Sequence, residues 1–353
     1  YYQVKATANL YELRRAQFTN ILYAEQGRAA TNDHADLAER HFAIDQRLND
    51  HYNTELAGGK WKDFQLQPKI GYGDRERYGP DAGWQQPQTP DHVALPDAIY
   101  PHLRRIDVPE RAEMGVAIDG SEKWWPGEQA EKPVLPAFSP YQTRPGQYIE
   151  VFNRGTVPFR YTARPSVPWV HVTPASGRVE KEVRLAVKVD WARAPKGRTE
   201  VPITVTGPNG SRVVVTAVVE NPDVPPGGLK GFVEASGYVA IEGHNHTRAV
   251  NGNGVRWRLI PDIGKTRHGM TPWPQTAPSV TPGGNSPRLE YTVTLFTAGE
   301  VKVTAHLSPR NNVLPTDRLR YAVSFDDDRP QVVDVITATG SDDTAMNRQW
   351  ERN

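Results

Sequence analysis

The apolar positions change rhythm three times along the chain. Val4, Ala8, Tyr11, Phe18 and Leu22 recur at three- and four-residue multiples, the spacing of one helix face, and predict an amphipathic α-helix. Asn32-Asp33 then offers an N-cap. Ala38, Phe42, Asp45, Leu48, Tyr52 and Leu56 continue in nearly the same rhythm to Gly58-Gly59, where a second helix should end. Two such helices form a hairpin, and a hairpin alone cannot bury both apolar stripes. Either it packs on the β-rich region that follows or further helices precede Tyr1, and we expect further helices.

From Trp61 to Tyr100 the period disappears, and Pro68, Pro80, Pro87, Pro90 and Pro96 break the stretch. This predicts a long loop, and its rings (Trp61, Phe64, Tyr72, Tyr78, Trp84) point to ordered packing. From about Arg104 the pattern becomes short alternating or β-branched runs bounded by Pro, Gly or Asn. These are Tyr148 to Phe152, Phe159 to Ala163, Trp169 to Val172, Val183 to Val189, Val201 to Val205 and Val213 to Val219. Pro208-Asn209-Gly210 between the last two is a hairpin signal. Seven or so strands of this kind suggest an immunoglobulin-like sandwich with a core of Trp169, Phe159 and valines. Asn221-Pro222-Asp223-Val224-Pro225-Pro226-Gly227-Gly228 reads as a stiff linker. Beyond it, Phe232 to Ile241, Val255 to Ile260, Leu289 to Phe296, Glu300 to Leu307, Leu319 to Phe325 and Val332 to Ile336 read as strands. The expected architecture is mainly β with an N-terminal helical segment. It comprises a hairpin (1–60), an aromatic loop (61–103), a sandwich (104–221) and a second β-sandwich (228–353).

Composition narrows the function classes. A chain of 353 residues with 31 Pro and 29 Gly favours two or three domains rich in turns and short strands. Lys and Arg number 42 against 41 Asp and Glu, and no basic run occurs, so neither nucleic acid nor an anionic membrane is indicated as a partner. There is no cysteine, which excludes disulfides, thiolate zinc sites and a cysteine nucleophile together. No apolar run is long enough to span a bilayer, and the first residues show no signal-peptide pattern.

Several segments carry a family resemblance: Leu22-Tyr23-Ala24-Glu25-Gln26-Gly27-Arg28, Ala57-Gly58-Gly59-Lys60-Trp61, Ile70-Gly71-Tyr72-Gly73-Asp74 and Trp84-Gln85-Gln86-Pro87. In this order they resemble the region just after the catalytic barrel in glycoside hydrolase family 115, the xylan α-glucuronidases. Lys265 to Pro274 and Gly283 to Arg288 are similar to that family's C-terminal region. Trp169 to Gly177 resembles the core strand of small immunoglobulin-like modules in bacterial polysaccharide-degrading enzymes. The strands after residue 228 resemble the jelly-roll carbohydrate-binding modules of families six and thirty-five. The resemblance implies a non-catalytic C-terminal portion of an enzyme that hydrolyses, with inversion, the bond from (4-O-methyl)glucuronic acid to xylose. It further implies a xylan-derived oligosaccharide as ligand, a homodimeric parent, and a secreted or periplasmic bacterial location. The family's catalytic acids would lie on a preceding barrel, so no residue of this chain is assigned as catalytic. The rival reading is a binding or structural module that never cleaves sugar.

The candidate contacts to sugar are Tyr72, Tyr78, Trp84, Gln85 and Arg28. Flat C–H faces of sugar rings stack on Tyr and Trp, and amides bridge hydroxyls. The same rings could equally staple the loop to its neighbours. Arg28 could clamp a uronate carboxylate, or it could pair with Glu25 or Asp33. Glu242, His244 and His246 form a further constellation. The resembling modules carry Glu-x-Glu here for a structural Ca²⁺, but His244 replaces one hard oxygen ligand. On a strand, His244 and His246 would share one face and with Glu242 could hold Zn²⁺, yet such pairs commonly pack or face solvent. No metal and no cofactor are assigned.

Overall fold

The computed structural model describes residues 1–62, 64, 103–127, 131–144, 146–224, 227–264, 266–283, 286–308 and 319–335. The chain divides into two compact units, Tyr1–Asn221 and Pro222–Asn353.

The first unit opens with α1 (Tyr2–Gln26) and α2 (Thr31–Asp50), packed along each other as a hairpin. A π-helical turn, His51–Glu55, and a 3-10 turn, Leu56–Gly59, end the second arm. The buried face of α2 follows the predicted stripe, with Ala38, Phe42, Asp45 and Leu48 inside. The buried face of α1 does not. Ala6, Asn9, Leu13, Ala16, Gln17, Asn20, Tyr23 and Gln26 point inward, whereas Val4 is 75% and Tyr11 74% exposed, and Ala8 and Phe18 are exposed too. Small and amide side chains let the two helices approach closely and hydrogen-bond across the contact. Asn9 Nδ2, for example, donates to the His41 carbonyl at 2.9 Å. The helical period locates an apolar face but does not say which face the neighbouring helix covers.

The remainder of this unit is a sandwich of two antiparallel sheets. The first holds β1 (Met114–Ile118), β2 (Trp124–Trp125), β3 (Gln147–Asn153), β5 (Val170–Thr173) and β7 (Glu182–Val189) in the order β2-β1-β3-β7-β5. The second holds β4 (Phe159–Pro165), β6 (Ser176–Val179), β8 (Gly197–Thr206) and β9 (Arg212–Asn221) in the order β6-β4-β8-β9. Period-2 alternation sends Ile149, Val151, Leu185 and Val187 from one sheet against Tyr161, Ile203, Val205, Val215 and Ala217 from the other. Trp169 and Phe159 join that core, as the pattern predicts. The free edge of β9 is covered by residues 133–138: Leu135 N–H donates to the Thr216 carbonyl and Phe138 N–H to that of Val218. Covering an edge in this way removes a template for pairing with another chain.

In the second unit the strands pair two by two. β10 (Phe232–Val233) runs parallel to β15 (Val293–Thr294). Three antiparallel ribbons join β11 (Arg248–Val250) to β14 (Arg288–Glu290), β12 (Arg256–Ile260) to β13 (Gly269–Trp273), and β16 (Arg320–Val323) to β17 (Gln331–Asp334). The run Glu300 to Leu307, expected as a strand, forms none: Val301, Val303 and Leu307 are exposed, with no ladder partner among the described residues. Val255 is the one fully buried apolar side chain of this unit among the described residues. No helix there or in the first unit is long and apolar enough to cross a membrane, among the described residues.

Candidate functional site

The segment Tyr23 to Arg28 lies where the hairpin meets the outer face of the first sheet. Gly27 ends α1 in the left-handed region, φ 63°, and its N–H donates to the Ala24 carbonyl, while Arg28 N–H reaches back to that of Tyr23 at 3.0 Å. The positive φ calls for glycine there, and a Cβ would in addition press on the Arg154 guanidinium at 2.9 Å. The reversal swings Arg28 onto the sandwich, where it is 1% exposed.

Each arm of that guanidinium is used. Nε donates to Gln26 Oε1 at 2.6 Å, Nη1 to Glu182 Oε2 at 3.1 Å and Nη2 to Glu150 Oε2 at 2.9 Å. Its central carbon lies 4.1 Å from the centre of the Tyr23 ring and 4.2 Å from that of Phe152, within cation–π range of both. Phe152 points away from the sandwich core and can lie flat here because Gly115 opposite it has no side chain; a Cβ there would meet the ring at 2.3 Å. Glu150 is shared: its other oxygen accepts Arg184 at 2.7 Å. Burial pushes the Glu150 carboxyl up, but Arg28 and Arg184 outweigh it and hold the group below its ordinary value. Tyr23 donates its hydroxyl to Glu182 at 3.0 Å, and burial raises its pKa. His34 packs edge-on against Tyr23, and burial lowers its pKa.

A strap completes the junction. Asn20 Nδ2 donates to the Arg104 carbonyl at 2.8 Å and its Oδ1 accepts Arg104 N–H at 2.7 Å. Asn32 makes the same pair of bonds with Ile106, at 2.9 and 3.1 Å. Two side-chain amides thus read alternate residues of an extended backbone as a neighbouring strand would. Arg105, between them, pairs with Asp36 and Glu39.

Arg28 therefore pairs with neither residue expected of it: Glu25 takes Arg104, and Asp33 takes Lys181. Glu150 and Glu182 lie more than a hundred residues away along the chain, so helix spacing could not find them. Tyr72, Tyr78, Trp84 and Gln85 lie outside the described residues. At the start of that loop Trp61 packs edge-on with Phe64 at 5.9 Å and stays 39% exposed.

The histidine constellation is a turn rather than a strand. Asn245 N–H donates to the Glu242 carbonyl, so His244 and His246 lose the shared face that strand geometry would impose. The His244 ring meets His268 at 5.0 Å, and the Glu242 carboxylate accepts the Thr266 hydroxyl. His268 Nδ1 accepts the Asp262 N–H at 3.1 Å. Among the described residues no group of three His, Asp or Glu is placed to hold a metal ion. In the first unit a hollow of about 520 Å³ opens beside Trp125. Its best polar groups are already engaged, with the Trp125 indole N–H on the Glu131 carbonyl and Lys123 on the Glu131 carboxylate.

Residues 231–353 match the glycosyl hydrolase family 115 C-terminal domain, and this match supports a C-terminal part of that family in the second unit. No curated protein matches the chain. Among solved structures it is similar to the YadV chaperone (12% identity, 33% of this chain and 60% of that one, TM-score 0.23). It is likewise similar to the E. coli chaperone DraB (16%, 36% and 61%, 0.22) and to tripeptidyl peptidase 2 (17%, 42% and 13%, 0.24). The chain thus spans less than two thirds of either chaperone, and superpositions this loose carry no argument about fold or function.

Proposed function

We propose that this chain, with its family 115 C-terminal part, is the non-catalytic portion of a xylan α-1,2-glucuronidase that removes (4-O-methyl)glucuronic acid from glucuronoxylan. The match over residues 231–353 carries this reading. The exposed face of α1 supports it. Tyr1, Val4, Ala8, Tyr11, Phe18 and Leu22 fall on one alternating three-four repeat, the seam that a further helix covers, and Arg15 and Glu25 complete it. In this reading a helical layer of the catalytic half lies on that seam. Tyr72, Tyr78, Trp84 and Gln85 reach sugar, and the parent enzyme is a secreted or periplasmic homodimer. Arg28 contributes by placing the hairpin rather than by touching a uronate, since each of its three nitrogens has a partner within the chain and the side chain is buried.

The test compares this chain with the natural polypeptide that contains it, on glucuronoxylan oligosaccharides. We expect release of glucuronic acid by the longer protein and none by this chain, since in this reading the paired catalytic acids lie on a barrel of the longer protein. Release by this chain, or an inert longer protein, would refute the proposal. An inert longer protein that binds xylan would favour the rival binding module.

A further inference from the structure

We infer that the helical hairpin is a conditional element, latched by Arg28 to Glu150 and Glu182, and that neutralising those carboxylates frees it while the sandwich stays folded. This stands apart from the enzymatic reading above. It rests on how differently the two parts of the first unit are held.

The hairpin has little interior of its own. Of the side chains α1 and α2 bury, only Leu13, Tyr23, Phe42 and Leu48 are apolar and larger than alanine. The others are Ala6, Ala16, Ala35, Ala38 and a set of polar groups that includes Asn9, Gln17, Asn20, Gln26, Asp45 and Asn49. Two helices with so narrow an apolar contact are poorly stable alone in water. The sandwich, in contrast, has a closed core from Met114 to Val219 to which no hairpin residue contributes. Its interior is complete without the helices, which cover only the outer face of one sheet.

What joins them is polar and directional. Arg28 enters from the hairpin, Glu150 comes from β3 and Glu182 from β7, so the cation ties the helical reversal to two strands of one sheet. Gln26 adds an amide bond to the Glu122 carbonyl at 2.6 Å, and Ala29 N–H one to that of Asn153 at 2.8 Å. A buried cation that loses its counter-charges is strongly destabilised, and the cost falls on the element that carries it into the contact. The sandwich then acts as a stand that sets the direction of the helical seam, and the Tyr23-Gln26-Gly27-Arg28 segment is the fastening.

Hydrogen exchange on the full chain, comparing the native sequence with Glu150→Gln/Glu182→Gln, tests this. We expect the amides of α1 and α2 to exchange on the order of 100-fold faster, with β3, β7, β8 and β9 unchanged. Arg28→Lys keeps the charge but loses the fork, and should speed hairpin exchange by about 10-fold with the same strands unmoved. Unchanged hairpin exchange in both variants would overturn the proposal. So would loss of protection in the strands together with the helices, or failure of the double variant to fold, because either makes hairpin and sandwich a single cooperative body.

Discussion

Two buried regions of the first unit are sealed by opposite chemistry. Inside the sandwich, Val, Ile, Leu and aromatic side chains interdigitate, and the attraction depends on area and volume alone. At the junction, Arg28, Gln26, Asn20, Asn32 and Glu150, with Glu182 at the solvent-facing rim, meet through bonds that must be aimed. The first kind of contact supplies stability and tolerates any apolar group that fits. The second supplies little net stability per bond but permits one orientation, since an unmade buried bond costs more than a made one returns.

The largest effect should come from the core. Phe138 is 1% exposed, and Phe138→Ala should lower unfolding free energy by about 3–5 kcal/mol in denaturant titration. A loss under about 1 kcal/mol would mean that the sandwich is held otherwise than by its apolar interior.

Next comes the strap. Asn20 is fully buried, and Asn20→Ala removes the partner of the Arg104 carbonyl and N–H and a second bond to the Thr31 carbonyl, at a cost of about 2 kcal/mol. Asn20→Leu should do no better, whereas Ile203→Leu in the core should cost less than about 1.5 kcal/mol. Rescue by leucine at position 20 would erase the distinction between the two regions.

A smaller, pH-dependent effect separates them again. The Glu150 carboxyl is held below its ordinary value of 4.5, so its contribution is present above that value and is lost as pH falls through the lower folded-state value. Thermal melts below pH 4.5 should show a loss of stability that Glu150→Gln reduces. An identical acid profile in the variant would detach this carboxylate from the stability of the junction.

The smallest effect should be at the uncovered seam. Tyr11→Ser changes an exposed ring that no described residue covers, and should shift stability by no more than about 0.5 kcal/mol. A clear loss in the melt of this chain would show that the seam is already packed in solution.

The sandwich strands were legible because alternation is a local signal: a strand half-buried between core and water writes its own period into the chain. The hairpin was legible for the same reason, as was the interior face of α2. Three strands of the sandwich were not found: β1, Met114–Ile118, is buried at every position and shows no alternation, β2 has two residues, and β6, Ser176–Val179, is polar. Clear apolar spacing on α1 pointed to the wrong side, because Ala6, Ala16 and four amides are turned inward while Val4 and Tyr11 face outward. The segment Tyr23 to Arg28 stood out as a word in the sequence, but its meaning did not. Glu150 and Glu182 look like any of 41 acidic residues until β3 and β7 pair and present both to the same cation. Apolar burial is written position by position because it needs only the absence of water. A directed polar contact needs a specific partner, and only the assembled fold selects it.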